Sequence, residues 1–114
     1  MTVPKLYLTD IGAREMAKQG ELIITRVDFG YDVIYGSEAD IQQIKKATDV
    51  TGIRFGVSPT VIEDNGHKVI DVVIDNKSDD IKRTVRKIGI YARVGNGNEF
   101  LWYYGRTKGE FVAF

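Results

Sequence analysis

Hydrophobic and polar positions change their period along the chain, from helical spacing near the N-terminus to alternation beyond residue 50. Small and apolar residues first recur at the spacing of one helix face, at Ala13, Met16, Ala17 and Gly20. Thr9 or Asp10 can cap the first turn, and Gly20 suits the left-handed conformation that ends a helix. The pattern predicts a short helix over residues 9–19, whose narrow stripe of small residues lies close against a sheet.

A strand and a second short helix follow this first helix. Residues 22–29 follow a period-two pattern rich in β-branched residues, and Gly30 ends that strand. Ser37 and Asp40 have the spacing of a capping box in front of the second helix. The apolar face of the second helix is formed by Ile41, Ile44 and Thr48. Because both predicted helices are short, tertiary packing must stabilise them.

The residues beyond Val50 follow the pattern of β-strands separated by tight turns. Asn65-Gly66 is a strong hairpin signal because both turn positions need a positive φ angle. The glycines of residues 95–98 supply a second turn between two apolar strands. We therefore expect one domain over residues 1–114, of the α+β class. Its two short helices pack on a mainly antiparallel sheet of about five strands, most of which form a meander.

The last predicted strand is apolar on both of its faces. Alternation divides its side chains into two sets, Phe100, Trp102 and Tyr104 on one face and Leu101 and Tyr103 on the other. A strand of this kind must be covered twice, once by the protein's own core and once by a second layer. That second layer is either another part of this chain or a different protein chain.

A short aromatic tail over residues 105–114 follows the last strand. Phe111 and Phe114 lie in this tail, where little chain is left to build a second layer. Exposed apolar patches mark contact sites, and large aromatic residues are enriched at the centres of interfaces. We therefore predict a protein interface formed by Trp102, Tyr103, Phe111 and Phe114. The alternative interpretation is that the strand's aromatic residues, Trp102 included, belong to the core.

Composition limits the classes of function. The 16 basic residues among 114 cancel the 16 acidic ones, which argues against a nucleic-acid-binding surface and favours self-association. The sequence contains no cysteine, so it offers neither a disulfide nor a thiolate metal site. No apolar run approaches the roughly 20 residues that a membrane span needs, and the N-terminus lacks the features of a signal peptide. We expect a soluble protein with no membrane span.

Candidate catalytic and metal-binding groups are few. His67 is the single histidine and follows the Asn65-Gly66 turn, where we expect it to be solvated. The segment 75–86 has aspartates at two calcium-loop positions, but Lys77 stands where a ligand is needed. The basic run over residues 82–87 fits a solvated strand edge. We therefore expect no enzyme activity, no cofactor and no metal site.

Three segments carry a resemblance to a known family. The first is LTDIGAREMAKQGELIITRVDFG, with its Leu-Thr pair, a helix over small residues and a strand that ends at glycine. The second is ADIQQIKKATDVTGIRF, which supplies the next helix and strand. The third is TVRKIGIYARVGNGNEFLWYYGRT, in which residues 86–92 precede a tyrosine-rich strand. In this order and spacing the chain resembles the N-terminal domain of phage tail-collar fibre proteins along almost its whole length.

The resemblance implies a structural part of a phage tail or a phage-tail-like device, which anchors fibres or receptor-binding parts to the tail tip or baseplate. Its partners would be other tail and baseplate proteins and copies of itself in a trimer or ring, without nucleic acid. Such a protein is made in the host cytoplasm and becomes part of the virion tail. Lys87 departs from the family pattern, which usually has glutamate there, and this removes the basis for an ion pair of the family's kind.

Members of that family are also longer, so the sequence fits either a minimal baseplate or tail protein or a piece of a longer one. A second hypothesis is a receptor- or carbohydrate-binding module of a tail tip. In that case solvent-facing Trp102, Tyr103 and Tyr104 would stack on sugar rings. A small hydrolase is the least favoured hypothesis, because no cluster of catalytic groups is evident.

Overall fold

The computed structural model describes residues 5–52, 54–71, 84–108 and 112–113. Its elements in chain order are β1 (Tyr7–Leu8), α1 (Asp10–Met16), β2 (Leu22–Gly30), α2 (Ile41–Lys46), β3 (Arg54–Val57), β4 (Thr60–Asp64), β5 (His67–Asp71), β6 (Thr84–Val85), β7 (Lys87–Val94), β8 (Phe100–Arg106) and β9 (Val112–Ala113). All strand pairs that the structure describes are antiparallel. The α+β class is confirmed, with considerably more strand than helix.

The main sheet has five strands in the order β1-β8-β7-β2-β3, and β4–β5 and β6–β9 form two separate two-stranded sheets. β2 pairs with β7 along its whole length, from Leu22 opposite Val94 to Gly30 opposite Lys87. The expected meander is therefore wrong. After β3 the chain leaves the main sheet to form the β4–β5 hairpin, and it returns as β7 on the other side of β2.

The two faces of the main sheet carry separate cores. The first core consists of Val27, Phe29, Val85 and Ile88, with Leu6, Tyr31, Phe55, Val57, Ile70 and Ile90 packed against it. The second core consists of Ile44, Val50, Tyr91, Leu101 and Tyr104. Because Ile44 belongs to α2 and Val50 to the segment that follows it, this part of the chain covers the second face. The first face is covered by Ile70 of β5 and Val85 of β6.

Helix α1 is shorter than predicted and uses a different contact face. The Thr9 hydroxyl caps it by accepting a hydrogen bond from the Gly12 amide at 2.9 Å, and it donates to the Leu101 carbonyl of β8 at 2.6 Å. A Cβ atom at buried Gly12 would lie 2.7 Å from the Trp102 carbonyl oxygen. The predicted stripe is exposed at all four positions, Ala13, Met16, Ala17 and Gly20. That prediction is wrong because Gly12 lets the helix backbone itself approach β8.

Helix α2 begins later than the capping-box spacing predicted. Asp40 is its N-cap without a side-chain capping bond, and its amide donates instead to the Ser37 carbonyl in the preceding turn at 2.9 Å. Ile44 is 1% exposed, whereas Ile41 is 48% exposed and Thr48 is also exposed. The capping box is therefore wrong, and Ile44 is the one member of the predicted apolar face that is buried.

Both predicted tight turns are confirmed. Asn65 and Gly66 have φ angles of 50° and 80°, as a two-residue turn between twisted antiparallel strands requires, and they join β4 to β5. Gly95, with a φ angle of 54°, begins the turn that joins β7 to β8. These turns set the register of the two hairpins.

The alternation predicted for β8 is interrupted at Trp102. Tyr91 of β7 pairs with Leu101, but its neighbour Ile90 pairs with Tyr103, so Trp102 is an extra residue in β8. An extra residue of this kind reverses the alternation of side chains beyond it. Leu101 and Tyr104 therefore share the second core, each 0% exposed. The predicted common face of Phe100, Trp102 and Tyr104 is wrong for this reason.

Candidate functional site

Two of the four predicted interface residues lie together beside α1. Trp102 and Tyr103 are half-buried, and their rings meet edge to face with centroids 4.7 Å apart and planes at 85°. The indole Nε1 of Trp102 donates a hydrogen bond to Sδ of Met16 at 2.9 Å, and Met16 is itself 47% exposed. We call Met16, Trp102 and Tyr103 the aromatic patch. It is an apolar surface to which α1 and β8 both contribute.

The backbone beneath the aromatic patch is tied to the start of α1. The Thr9 amide donates to the Trp102 carbonyl at 3.0 Å, and the Thr9 hydroxyl also lies 3.3 Å from that oxygen. Leu8 pairs with Tyr103 across β1 and β8. The two aromatic side chains therefore stand on a strand with hydrogen-bonded neighbours, which limits the conformational entropy that a partner's binding would remove.

The other two predicted interface residues, Phe111 and Phe114, lie outside the described residues. The neighbouring strand β9 pairs with β6 of the same chain, with Thr84 opposite Ala113 and Val85 opposite Val112. This end of the chain thus reaches back to the segment that precedes β7. The apolar face of β8 formed by Leu101 and Tyr104 is covered by α2 and the segment after it.

A second candidate site is a polar cluster on the sheet face that α2 covers. The Tyr91 hydroxyl donates to Asp49 Oδ1 and accepts a hydrogen bond from the Val50 amide at 2.8 Å. The Arg26 guanidinium lies over the Tyr91 ring, 4.0 Å from its centroid. Burial, and after it the hydrogen bond to Asp49, raise the pKa of Tyr91 to about 12. The neutral phenol therefore joins the segment after α2 to the sheet.

Asp28 is a buried carboxylate of this polar cluster, with the same small exposure as Tyr91. It is 3% exposed and lies between two arginines, with Arg26 Nε 3.2 Å from its Oδ1 and Arg54 Nε 3.6 Å from its Oδ2. Burial raises the pKa of Asp28, whereas the two guanidinium groups lower it, and the net direction is upward. The folded chain thus holds this proton more tightly than the unfolded chain, so ionisation of Asp28 reduces stability as pH rises through its pKa.

An open depression of about 530 Å³ adjoins the polar cluster, lined by Arg26, Asp28, Gly52, Arg54, Phe55 and Gly56. Arg26 also forms an ion pair with Glu99 at 2.8 Å, so each of the two arginines already faces a carboxylate. The opposite charges balance across this surface. Its side chains hold β2, β3 and the β7–β8 turn together rather than presenting an unpaired charge to a ligand.

Lys87 belongs to the same sheet face and corrects the interpretation of the basic run. It is 7% exposed, and its Nζ donates to the Thr51 carbonyl at 3.0 Å and lies 3.9 Å from Asp32 Oδ2. Arg86 donates to the Tyr31 carbonyl at 3.0 Å. The prediction of a solvated strand edge is therefore wrong for Lys87, which is buried in the inner strand β7, and Arg86 just before this strand is half-buried with its guanidinium on a backbone carbonyl. Lys82 and Arg83 of the same run lie outside the described residues.

The β4–β5 hairpin carries exposed apolar surface that the sequence interpretation did not select. Val61, Ile62 and Val69 are 39%, 48% and 47% exposed. The signal in the sequence is a pair of adjacent apolar residues on each strand, at positions 61–62 and 69–70, which places apolar side chains on both faces of a two-stranded ribbon. His67 is exposed on the same hairpin.

Comparison with family models, with curated proteins and with solved structures gives no match for this chain. Among the described residues, no helix has the length and apolar content to cross a membrane. Within the same part of the chain, no three histidine or acidic side chains are grouped so that they could hold a metal ion.

Proposed function

We propose that this chain is a structural component of a phage tail or phage-tail-like device, where it anchors or forms part of the tail fibre or baseplate through protein–protein contacts. The likeness of three long segments to tail-collar fibre N-terminal domains supports the proposal. The attachment domain consists of two short helices packed on the five-stranded antiparallel sheet. In this role the domain acts by binding neighbouring proteins, so it uses no catalytic group.

The aromatic patch is the observation that carries the proposal. Large aromatic side chains on an ordered backbone are the residues that dominate protein interfaces when they are buried by a partner. Trp102 and Tyr103 keep part of their surface uncovered, and Met16 beside them is nearly half exposed. Phe111 and Phe114 belong to the same proposed interface. The partners are other tail or baseplate proteins and copies of this chain in a trimer or ring.

Labelling of purified particles tests the location. Phage or phage-tail-like particles from a producing culture are probed with an antibody against the chain and imaged by electron microscopy. We expect label at the tail tip or fibre root. Particles that lack the chain, from cells that express it, would contradict a structural role in the tail.

Matched variants test the proposed interface. Trp102→Ser combined with Tyr103→Ser is compared with Tyr35→Ser, since Tyr35 is 72% exposed and lies outside the patch. Light scattering over a concentration series and incorporation into particles are the readouts, with circular dichroism to verify folding. We expect the patch variant to lose assembly and Tyr35→Ser to keep it. Equal assembly of both folded variants would remove the aromatic patch from the interface.

The second candidate is a receptor- or carbohydrate-binding module of a tail tip, and the half-buried pair of Trp102 and Tyr103, which keeps part of its ring surface accessible, favours it. Aromatic rings of this kind can stack on the apolar faces of sugars. Tyr104 contributes nothing to such a site because it is 0% exposed. A glycan array distinguishes the two functions, since this candidate requires binding that Trp102→Ala removes, whereas the attachment role requires none.

A further inference from the structure

The β4–β5 hairpin is a two-stranded ribbon that the rest of the described chain covers on one face only. Its cross-strand pairs include Val61 with Ile70 and Ile62 with Val69. Ile70 packs against the first core, which turns the Val61–Ile70 face toward the domain. The Ile62–Val69 face points the other way, and both of its apolar side chains are nearly half exposed. Two-stranded ribbons are only marginally stable without a further strand or layer.

The outer edge of β5 can accept such a strand. In a hairpin closed by a two-residue turn, the pair flanking the turn exchanges hydrogen bonds, and bonded and non-bonded pairs then alternate. Asp64 and His67 flank this turn, so the main-chain groups of His67, Val69 and Asp71 point toward β4. Those of Lys68 and Ile70 point away from it. Among the described residues, β5 pairs with no strand except β4.

The order of residues in β5 makes its edge complementary to a second copy of itself. Antiparallel pairing about a two-fold axis at Val69 places His67 of each copy opposite Asp71 of the other copy. The symmetric contact therefore contains two such pairs. All three side chains are exposed on the same face of the ribbon. A basic residue directly across from a carboxylate stabilises a strand pair, and the His67 imidazole supplies this charge when it is protonated, whereas the same operation on β4 brings no basic residue opposite a carboxylate. The complementarity therefore selects β5.

We propose that two copies of this chain associate through β5, forming a four-stranded sheet in the order β4-β5-β5-β4. Val69 meets Val69 of the second copy at the axis, and the two Ile62 side chains extend this contact into one apolar stripe across the four strands. The main-chain groups of Lys68 and Ile70 supply the new hydrogen bonds. This contact is distinct from the aromatic patch and does not depend on a role in phage tails.

Cysteine cross-linking tests the register, because the wild-type chain contains no cysteine. At the axis Val69 forms a non-hydrogen-bonded pair with its copy, whose Cα atoms lie about 4.5 Å apart and so suit a disulfide. Ile62→Cys is the matched control, since Ile62 is equally exposed. In the proposed sheet the two Ile62 positions are three strand spacings apart, about 14 Å, which is too far for a disulfide. We expect Val69→Cys to give disulfide-linked dimer under mild oxidation of the folded protein at least about tenfold faster than Ile62→Cys.

Charge exchange gives a second test that needs no cysteine. Asp71→Lys should weaken dimer formation about threefold or more in analytical ultracentrifugation, because it removes both histidine–carboxylate pairs and sets two basic residues opposite each other. Adding His67→Asp should restore the dimer, since a carboxylate and a lysine then face each other across the two strands. Equal cross-linking rates at positions 69 and 62, no cross-linking at either, or no restoration in the double variant would overturn the proposal. Dimerisation that Trp102→Ser removes and Asp71→Lys leaves intact would assign self-association to the aromatic patch instead.

Discussion

Strand β8 and the β4–β5 hairpin are both apolar on two faces, yet the chain buries them very differently. In β8, Phe100 is 5% exposed and Leu101 is fully buried, whereas Ile62 and Val69 of the hairpin remain nearly half exposed. β8 lies between β1 and β7, and both helices contact it. The hairpin forms its own sheet and is covered on one face by the first core.

The difference shows that the layers around an apolar strand, and not its apolar content, decide whether it is buried. Hydrogen bonds attach both covering segments to the main sheet. Thr9 at the start of α1 donates to β8, and Tyr91 of the sheet accepts from the segment after α2. No comparable fastening of the Ile62–Val69 face occurs among the described residues. The four predictions that follow test this comparison, from the largest expected effect to the smallest.

Truncation of one apolar side chain in each region tests the contrast directly. Leu101→Ala removes a fully buried side chain from the second core and should lower the free energy of unfolding by about 2–5 kcal/mol. Ile62→Ala shortens a side chain that is already 48% exposed, so its cost should stay below about 1 kcal/mol. Urea denaturation followed by circular dichroism measures both. Similar losses in the two variants would mean that the hairpin is covered as fully as β8.

Tyr91→Phe tests the cover of the second face. Removing the hydroxyl takes a donor from the Asp49 carboxylate and one of two acceptors from the Val50 amide, which keeps Asp49 Oδ1 at 3.1 Å, and should cost about 1–3 kcal/mol at neutral pH. Tyr35→Phe, at a 72% exposed position, is the control and should change stability little. The measurement is urea denaturation at neutral pH. A loss in Tyr91→Phe no larger than in the control would show that other contacts hold this segment.

The pH dependence of the same variant follows from its pKa. The folded-state pKa of Tyr91 is raised from 10.0 to about 12, so the unfolded chain loses this proton first. The stabilisation is fully present below pH 10 and is lost as pH rises toward 12. Wild-type stability should fall across this window, and Tyr91→Phe should fall less. Some dependence will remain, because burial also raises the pKa of Tyr104.

The N-cap residues of the two helices should give the smallest difference in stability between variants. Thr9 bonds the Gly12 amide and two carbonyls of β8, whereas Asp40 makes no side-chain capping bond. Thr9→Ala should therefore lower stability by about 1–2 kcal/mol, and Asp40→Ala by less than about 0.5 kcal/mol. Thermal unfolding of both variants provides the measurement. A larger loss in Asp40→Ala would show that α1 is not fastened to β8 through its cap.

Local signals in the sequence predicted the elements whose causes are local. The turn at Asn65-Gly66 needs two positive φ angles, and these residue types supply them wherever the hairpin lies. The extent of β2 and the existence of two short helices likewise followed from periodicity and glycine positions. Of the candidate interface, Trp102 and Tyr103 lie side by side next to Met16, although alternation had assigned the two aromatic residues to opposite faces of the strand and the sequence gave no indication of Met16.

The errors concern features that depend on residues distant in the sequence. The faces of α1 and β8 were both misassigned, since Gly12 packs on the Trp102 carbonyl and one extra residue at Trp102 reverses the alternation of β8. Neither feature changes the hydrophobic periodicity of the sequence. The first depends on a contact between residues about 90 positions apart, and the second depends on how β8 pairs with β7. The exposure of Lys87 was misassigned for the same reason. Its charge indicated a solvent-exposed position, whereas its side chain is buried because β7 is an inner strand of the sheet.

By itself, then, the sequence determined the α+β class, the tight turns and the apolar character of β8, because these follow from φ preferences and side-chain spacing. Only the tertiary structure decided that β2 lies between β7 and β3, that β8 is covered by α2 and the segment after it, and that the β4–β5 hairpin leaves the main sheet. The physical reason is that burial is a property of packed layers. Which strand is covered depends on where the rest of the chain has room to pack.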